Sequence, residues 1–113
     1  MSKFDEKVVL YKKFMDDRKL SVNLELLTAV TKGLGPSIYK RDAETVSGSD
    51  PKELLTVKNN FLIKKLSLTD GPELDKAIDE VMEEIGRSER SKYRAVVYYL
   101  LAKKFSKESV YGM

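Results

Sequence analysis

Apolar residues recur three and four positions apart in five separate stretches of this chain, and this spacing constrains the fold more than any other feature. One face of an α-helix repeats at that interval, so each stretch predicts an amphipathic helix with one side in a core. The chain has 113 residues, which suits one domain with a single core. We therefore predict an all-α, compact, bundle-like domain of five helices over residues 1–113. The most regular stretch contains Leu74, Ile78, Val81, Met82 and Ile85.

Capping residues and helix breakers set the predicted boundaries. The clearest start is Asp50-Pro51-Lys52-Glu53, which combines an N-cap, a proline at the first helical position and an acid able to complete a variant capping box. Residues 35–50 lack a helical pattern, so we expect a long loop there, with one short helical turn around Ile38 and Tyr39. The predicted helices cover residues 3–18, 23–34, 51–66, 72–85 and 89–105.

A short internal repeat decides between helix and strand for the last segment. The sequence Val96-Val97-Tyr98-Tyr99 would also suit a strand by residue preference. However, residues 49–68 align with 88–107 without a gap, and both end in Leu-x-Lys-Lys followed by leucine or phenylalanine. The second and fourth predicted helices also align at a shift of 48 residues, and the phrase occurs once more at 10–14, so we interpret the domain as a duplicated helix pair plus an N-terminal helix. Chance similarity between amphipathic helices is the alternative.

The residue types that are missing exclude several kinds of site. The chain contains no cysteine and no histidine, which excludes disulfides, thiolate nucleophiles, catalytic triads with histidine and metal sites built on these ligands. Acidic residues form two rows on the fourth predicted helix, and a solvated helix face explains them more simply than cation binding or proton transfer. We expect no catalytic residue, no metal site and no cofactor, and therefore a protein that is not an enzyme. The rows contain Asp75, Asp79 and Glu83, and Glu80 and Glu84.

The N-terminal residues predict where the protein resides. They include Asp5 and Glu6, and no apolar run has the length of a signal peptide core or of a membrane span. Together with the absence of cysteine, this pattern predicts a cytoplasmic protein that does not enter membranes.

Charge is distributed in two adjacent blocks of opposite sign. Residues 70–85 contain seven acids and one lysine, whereas residues 86–107 contain seven bases and one acid. Pairing of the blocks within one chain is the simpler expectation, and pairing between subunits is the alternative.

Repeated lysine pairs and nearby arginines suggest nucleic-acid binding as an alternative function. They would form a phosphate-contacting surface if the helix ends converged. Lysines in a last helical turn also complement the helix dipole, which is the simpler explanation. The residues are Lys12, Lys13, Lys64, Lys65, Arg87, Arg90, Arg94, Lys103 and Lys104.

Three tyrosines on the last predicted helix support the function that we favour. Tyr93, Tyr98 and Tyr99 point to three sides of that helix, so it lies either at the centre of the core or under a partner. With the opposed charge blocks, this favours a non-catalytic protein-interaction module that forms a homodimer or binds another protein.

Several short phrases give the whole chain a resemblance to a known family. The phrases are Met1-Ser2-Lys3-Phe4-Asp5, Tyr11-Lys12-Lys13, Leu34-Gly35-Pro36-Ser37-Ile38-Tyr39, Lys58-Asn59-Asn60-Phe61-Leu62-Ile63-Lys64-Lys65-Leu66 and Lys92-Tyr93-Arg94-Ala95-Val96. With these phrases the chain resembles the small bacterial proteins catalogued only as domain of unknown function number twenty-eight fifty-three. The resemblance brings no activity, cofactor or catalytic residue, and it implies a bacterial, stand-alone protein.

Overall fold

The computed structural model of the protein describes residues 2–86, 89 and 91–112. Most of the chain is helical, as the apolar spacing predicts. The described residues form four long or medium α-helices, two short ones, a π-helix and two 3₁₀ turns. The helices are α1 (Lys3–Asp17), α2 (Leu24–Gly33), α3 (Arg41–Glu44), α4 (Pro51–Thr56), α5 (Pro72–Ile85) and α6 (Arg94–Lys104), with 3₁₀ turns at Gly35–Tyr39 and Glu108–Tyr111.

A small antiparallel sheet corrects the prediction of a purely helical, five-helix domain. Strand β1 (Thr45–Ser47) pairs with β2 (Ser91–Tyr93), and the central Val46 lies opposite Lys92. β1 falls within the predicted loop, which also contains α3, and β2 occupies residues expected to begin the last helix. Strands of three residues are too short to display alternation, and each pairs with a segment distant in sequence, so local patterns could not predict them.

The third predicted helix begins where expected but changes type midway. Asp50 caps α4 and accepts a hydrogen bond from the Lys52 backbone N–H at 3.0 Å. From there the chain passes into a π-helix at Val57–Lys65, whose wider turn the apolar spacing does not distinguish from an α-helix. The Glu53 carboxylate accepts a hydrogen bond from the backbone N–H of Ser47, so this acid joins α4 to β1 instead of completing a capping box.

Helix α6 lies at the centre of the core. It contacts α1, α2, α3 and α5, and both Tyr98 and Tyr99 are buried. The prediction that Val96 to Tyr99 form a helix is confirmed. Of the two positions considered for its tyrosines, the core or a partner surface, Tyr98 and Tyr99 occupy the core. The buried residues of α6 are Ala95, Val96, Val97, Tyr98, Tyr99, Leu101 and Ala102.

Three helices end in a similar way. The residues Lys19, Ser67 and Ser106 each adopt a positive φ, of 58°, 58° and 54°, just beyond a helix end. Ser67 and Ser106 are equivalent in the internal repeat, but Lys19 lies outside it, so the shared geometry is a general way of ending a helix. The duplication therefore stays a prediction. The first lysine pair lies inside α1, which continues to Asp17.

Candidate interaction surface

Two adjacent depressions lie along α1 and α2 and share Leu24 and Thr28. The one between the helices has a volume of about 410 Å³, and the one along the outer face of α2 has a volume of about 450 Å³. Because they share two residues, we treat them as one feature, the α1–α2 surface. It consists of Asp5, Val8, Val9, Lys12, Leu24, Glu25, Thr28, Ala29 and Lys32.

The α1–α2 surface exposes large apolar side chains. Val9 is 53% exposed and Leu24 is 50% exposed. The apolar stripe of α1 buries Val8 in the core, and Val9, one position further, turns towards solvent. Contiguous exposed apolar patches, unlike single exposed apolar residues, are typical of interaction sites on soluble proteins.

A buried tyrosine fixes where α2 begins and therefore where Leu24 lies. The Tyr99 hydroxyl accepts a hydrogen bond from the Asn23 backbone N–H at 2.7 Å and donates one to the Ser21 carbonyl at 3.3 Å. Asn23 in turn caps α2 by accepting from the Leu26 N–H. Tyr99, predicted as an interaction residue, thus supports the α1–α2 surface from inside the core.

Tyr93 and Tyr98 are also held by the protein itself. The Tyr98 ring stacks on Phe61 with centroids 3.9 Å apart and an angle of 13° between the planes. Tyr93 is half-buried, and the centroid of its ring lies 4.9 Å from that of Tyr11 and 5.1 Å from that of Phe14. Tyr98 and most of Tyr93 are therefore covered by residues of the same chain.

Contacts within the chain thus account for the burial of these tyrosines, whereas the exposed apolar side chains Val9 and Leu24 lie elsewhere, on α1 and α2. Sequence patterns missed Val9 and Leu24 because both fall outside the apolar stripes of their helices. That displacement from the stripe is the signal that could have identified them.

The lysine pairs have different partners in the structure. Lys12 forms an ion pair with Asp16 at 2.7 Å, and Lys104 lies 3.3 Å from Glu84. The Lys65 ammonium lies 5.3 Å from the centre of the Tyr111 ring, beside a cavity of about 150 Å³. Lys13, Lys64 and Lys103 are exposed. Lys12, Lys65 and Lys104 thus each contact a different group of the same chain, and they lie on three different elements.

The predicted arginines divide into two groups. Arg94 is half-buried, and its Nε donates a hydrogen bond to the Ala43 carbonyl at 2.7 Å while Nη1 donates to the Tyr98 hydroxyl at 3.3 Å. The first bond joins α6 to α3, and the second lies within α6. Arg87 and Arg90 lie outside the described residues.

The acidic face of α5 is exposed and partly neutralised by lysines. Lys104 contacts Glu80 at 3.8 Å as well as Glu84, while Lys58 contacts Asp70 at 2.9 Å and Asp75 at 3.2 Å. The hydrogen bonds to these two aspartates raise the pKa of Lys58 and lower that of Asp70. Asp79 and Glu83 also have interaction partners. Across residues 2–86, 89 and 91–112, no three acidic side chains come together as a metal site would require.

The sequence of the chain matches a known protein family. The chain matches the family described as "Protein of unknown function (DUF2853)" over residues 11–109. The chain belongs to this family. The part matched to DUF2853 includes all of α2, whereas Asp5, Val8 and Val9 of the α1–α2 surface precede it. The chain matches none of the curated proteins compared with it. In the part of the chain that the structure describes, no helix has the length and apolar character needed to cross a membrane.

Proposed function

We propose that this protein is a non-catalytic interaction module that binds a protein partner through the α1–α2 surface. The observation that carries the proposal is the exposure of Val9 and Leu24 beside one another in a depression between two helices. Covering these side chains would remove apolar area from water, which stabilises association by roughly 25 cal/mol per Å² before the costs of binding.

The shape and chemistry of the surface suit a helix as the bound element. Grooves between helices bind amphipathic helices, whose apolar face lies in the groove while charged residues contact the rim. Here the apolar centre is flanked by acids and bases of both helices, namely Asp5, Lys12, Glu25 and Lys32. A partner helix with leucines three or four positions apart and both charge signs would match this arrangement.

A labelled amphipathic helical peptide, with leucines at that spacing and equal numbers of lysine and glutamate, tests the proposal. We expect saturable binding in the micromolar range by fluorescence anisotropy, and loss of at least about tenfold in affinity for Leu24→Glu. Leu55→Glu is the matched control, because Leu55 is 54% exposed on α4, away from the surface. No binding by a folded, monomeric wild-type protein, or equal loss in both variants, would contradict the proposal.

Nucleic-acid binding is the less supported alternative. It needs free cations on one surface, and Lys12, Lys104 and Arg94 already bind groups of the chain itself. Anisotropy with labelled DNA and RNA at low salt measures it, and affinity that falls steeply with added salt would favour this alternative. The bacterial origin and cytoplasmic location stay predictions.

A further inference from the structure

The outward face of α2 has charges at symmetric positions. Glu25 lies in its first turn and Lys32 in its last turn, with Thr28 and Ala29 midway between them. Both charged side chains are exposed, and among the described residues neither forms an ion pair. Each charge is therefore available to a partner.

We propose, building on the function proposed above, that the partner of the α1–α2 surface is a second copy of this chain, packed with its α2 antiparallel to the first. The two-fold axis crosses the helix pair between Thr28 and Ala29. Because positions 25 and 32 are equally distant from this midpoint, Glu25 of each copy meets Lys32 of the other. One interface thus contains two equivalent ion pairs.

The same axis determines what each copy covers on the other. A two-fold axis in the interface plane, perpendicular to α2, leaves α1 of both copies on the same side of the α2 pair. Leu24 of each copy then lies opposite Gly33 of the other, at the two ends of the helix pair, so the partner's α2 covers the exposed Leu24 side chain. A parallel arrangement would instead put Glu25 against Glu25 and Lys32 against Lys32, which like-charge repulsion disfavours.

The centre of the helix face permits close packing. Thr28 and Ala29 have small side chains, which allow two helices to approach to the usual interaxial distance of about 8–10 Å. The Thr28 hydroxyl already donates a hydrogen bond to the Leu24 carbonyl at 2.7 Å. Its burial in the dimer would therefore leave no donor without an acceptor.

Charge reversal combined with sedimentation equilibrium tests this arrangement. We expect a wild-type monomer–dimer equilibrium in the micromolar range, weakened about tenfold or more by Glu25→Lys or by Lys32→Glu, since each creates two like-charge pairs. The double variant Glu25→Lys/Lys32→Glu restores opposite charges at every contact, so its dimer constant should return to within about threefold of wild type.

Two substitutions at matching positions of other helices serve as controls. Glu73→Lys changes the second residue of α5, as Glu25→Lys does in α2, and Lys103→Glu changes the penultimate residue of α6, as Lys32→Glu does in α2. Both should leave the dimer constant unchanged. Circular dichroism on every variant establishes that the fold is retained.

The outcomes separate this inference from the function on which it rests. A wild-type protein that stays monomeric while the helical peptide binds would overturn the second copy as partner and leave the proposed function standing. A monomer that binds no peptide would overturn both. A dimer constant that is unchanged by the single charge reversals, or a double variant that stays monomeric, would overturn the antiparallel arrangement of α2.

Discussion

Single polar residues join elements that are distant in the sequence. The Glu44 carboxylate accepts hydrogen bonds from the Tyr11 hydroxyl at 2.6 Å and from the Lys7 ammonium at 2.8 Å, and thereby joins α3 to α1. Burial, followed by the hydrogen bond to Glu44, raises the pKa of the Tyr11 hydroxyl above its ordinary value. The apolar spacing of α1 predicts that Tyr11 is buried, but nothing local indicates Glu44 as its partner.

Removing the Tyr11 hydroxyl tests this contact. Tyr11→Phe leaves the partly buried Glu44 carboxylate with one donor fewer, so we expect the free energy of unfolding to fall by about 1.5–3 kcal/mol. Urea unfolding at neutral pH measures the change. Tyr39→Phe is the control, since Tyr39 is 50% exposed. Equal effects of the two substitutions would argue against a stabilising contact at Glu44.

Two tyrosines with raised pKa values should make the protein less stable at alkaline pH. Burial, followed by the nearby Tyr98, raises the pKa of Tyr111 to about 12, and the pKa of Tyr11 is raised as well. Above about pH 10 the unfolded chain loses tyrosine protons that the folded protein retains, so the free energy of unfolding should fall as pH rises. Urea unfolding between neutral and alkaline pH measures this slope. Tyr111→Phe should make the slope shallower, and an unchanged slope would contradict the assignment.

Lys92 shows where residue type alone misleads. Its side chain is 1% exposed, although lysine is among the residues least often buried. The ammonium donates a hydrogen bond to the Glu89 carbonyl, and a Cβ added at Gly48 would lie only 2.9 Å from it. The burial depends on the pairing of β2 with β1, a contact between distant segments that the sequence pattern does not reveal.

Helices whose start is encoded locally were predicted well, whereas elements that depend on distant contacts were not. Asp50 and Pro51 specify the start of α4 through neighbouring atoms, so their order in the sequence suffices. The sheet depends on pairing between segments far apart in the chain, and the apolar spacing does not distinguish the π-helix from an α-helix. The predicted loop accordingly contained α3 and β1, and the predicted start of the last helix contained β2.

Removing the Asp50 cap of α4 should lower the stability of the protein. Asp50→Ala removes the acceptor for the Lys52 N–H, so the free energy of unfolding should fall by about 1 kcal/mol. Thermal and urea unfolding measure it, with Ser49→Ala as the neighbouring control. A change no larger than that of the control would indicate that the cap contributes little here.

Across the whole molecule, the opposite charge blocks are partly neutralised within one chain. The simpler expectation is confirmed for Lys104, which contacts Glu80 and Glu84 of α5. Lys58, which contacts Asp75 of α5, comes from the π-helix and not from the predicted basic block. Composition thus predicted the pairing of charge signs but could not identify every partner.

The sequence can mark Val9 and Leu24 as apolar residues outside their helix stripes, but it cannot predict the surface that they form together. The tyrosines around the last helix led to the prediction that it binds a partner, but the same distribution is typical of a helix at the centre of the core. The α1–α2 surface depends on how two helices pack, which leaves Val9 and Leu24 exposed side by side. Helix spacing assigns a residue to a face, but only the packed structure establishes which faces remain uncovered.

Mixing the two single charge-reversal variants tests the central claim most directly. Glu25→Lys and Lys32→Glu should each be mainly monomeric, because each homodimer would bring like charges together. In an equimolar mixture every reversed charge meets its opposite, so sedimentation equilibrium should detect a one-to-one heterodimer with near wild-type affinity. A mixture that stays as monomeric as its separate components would contradict antiparallel self-association through α2.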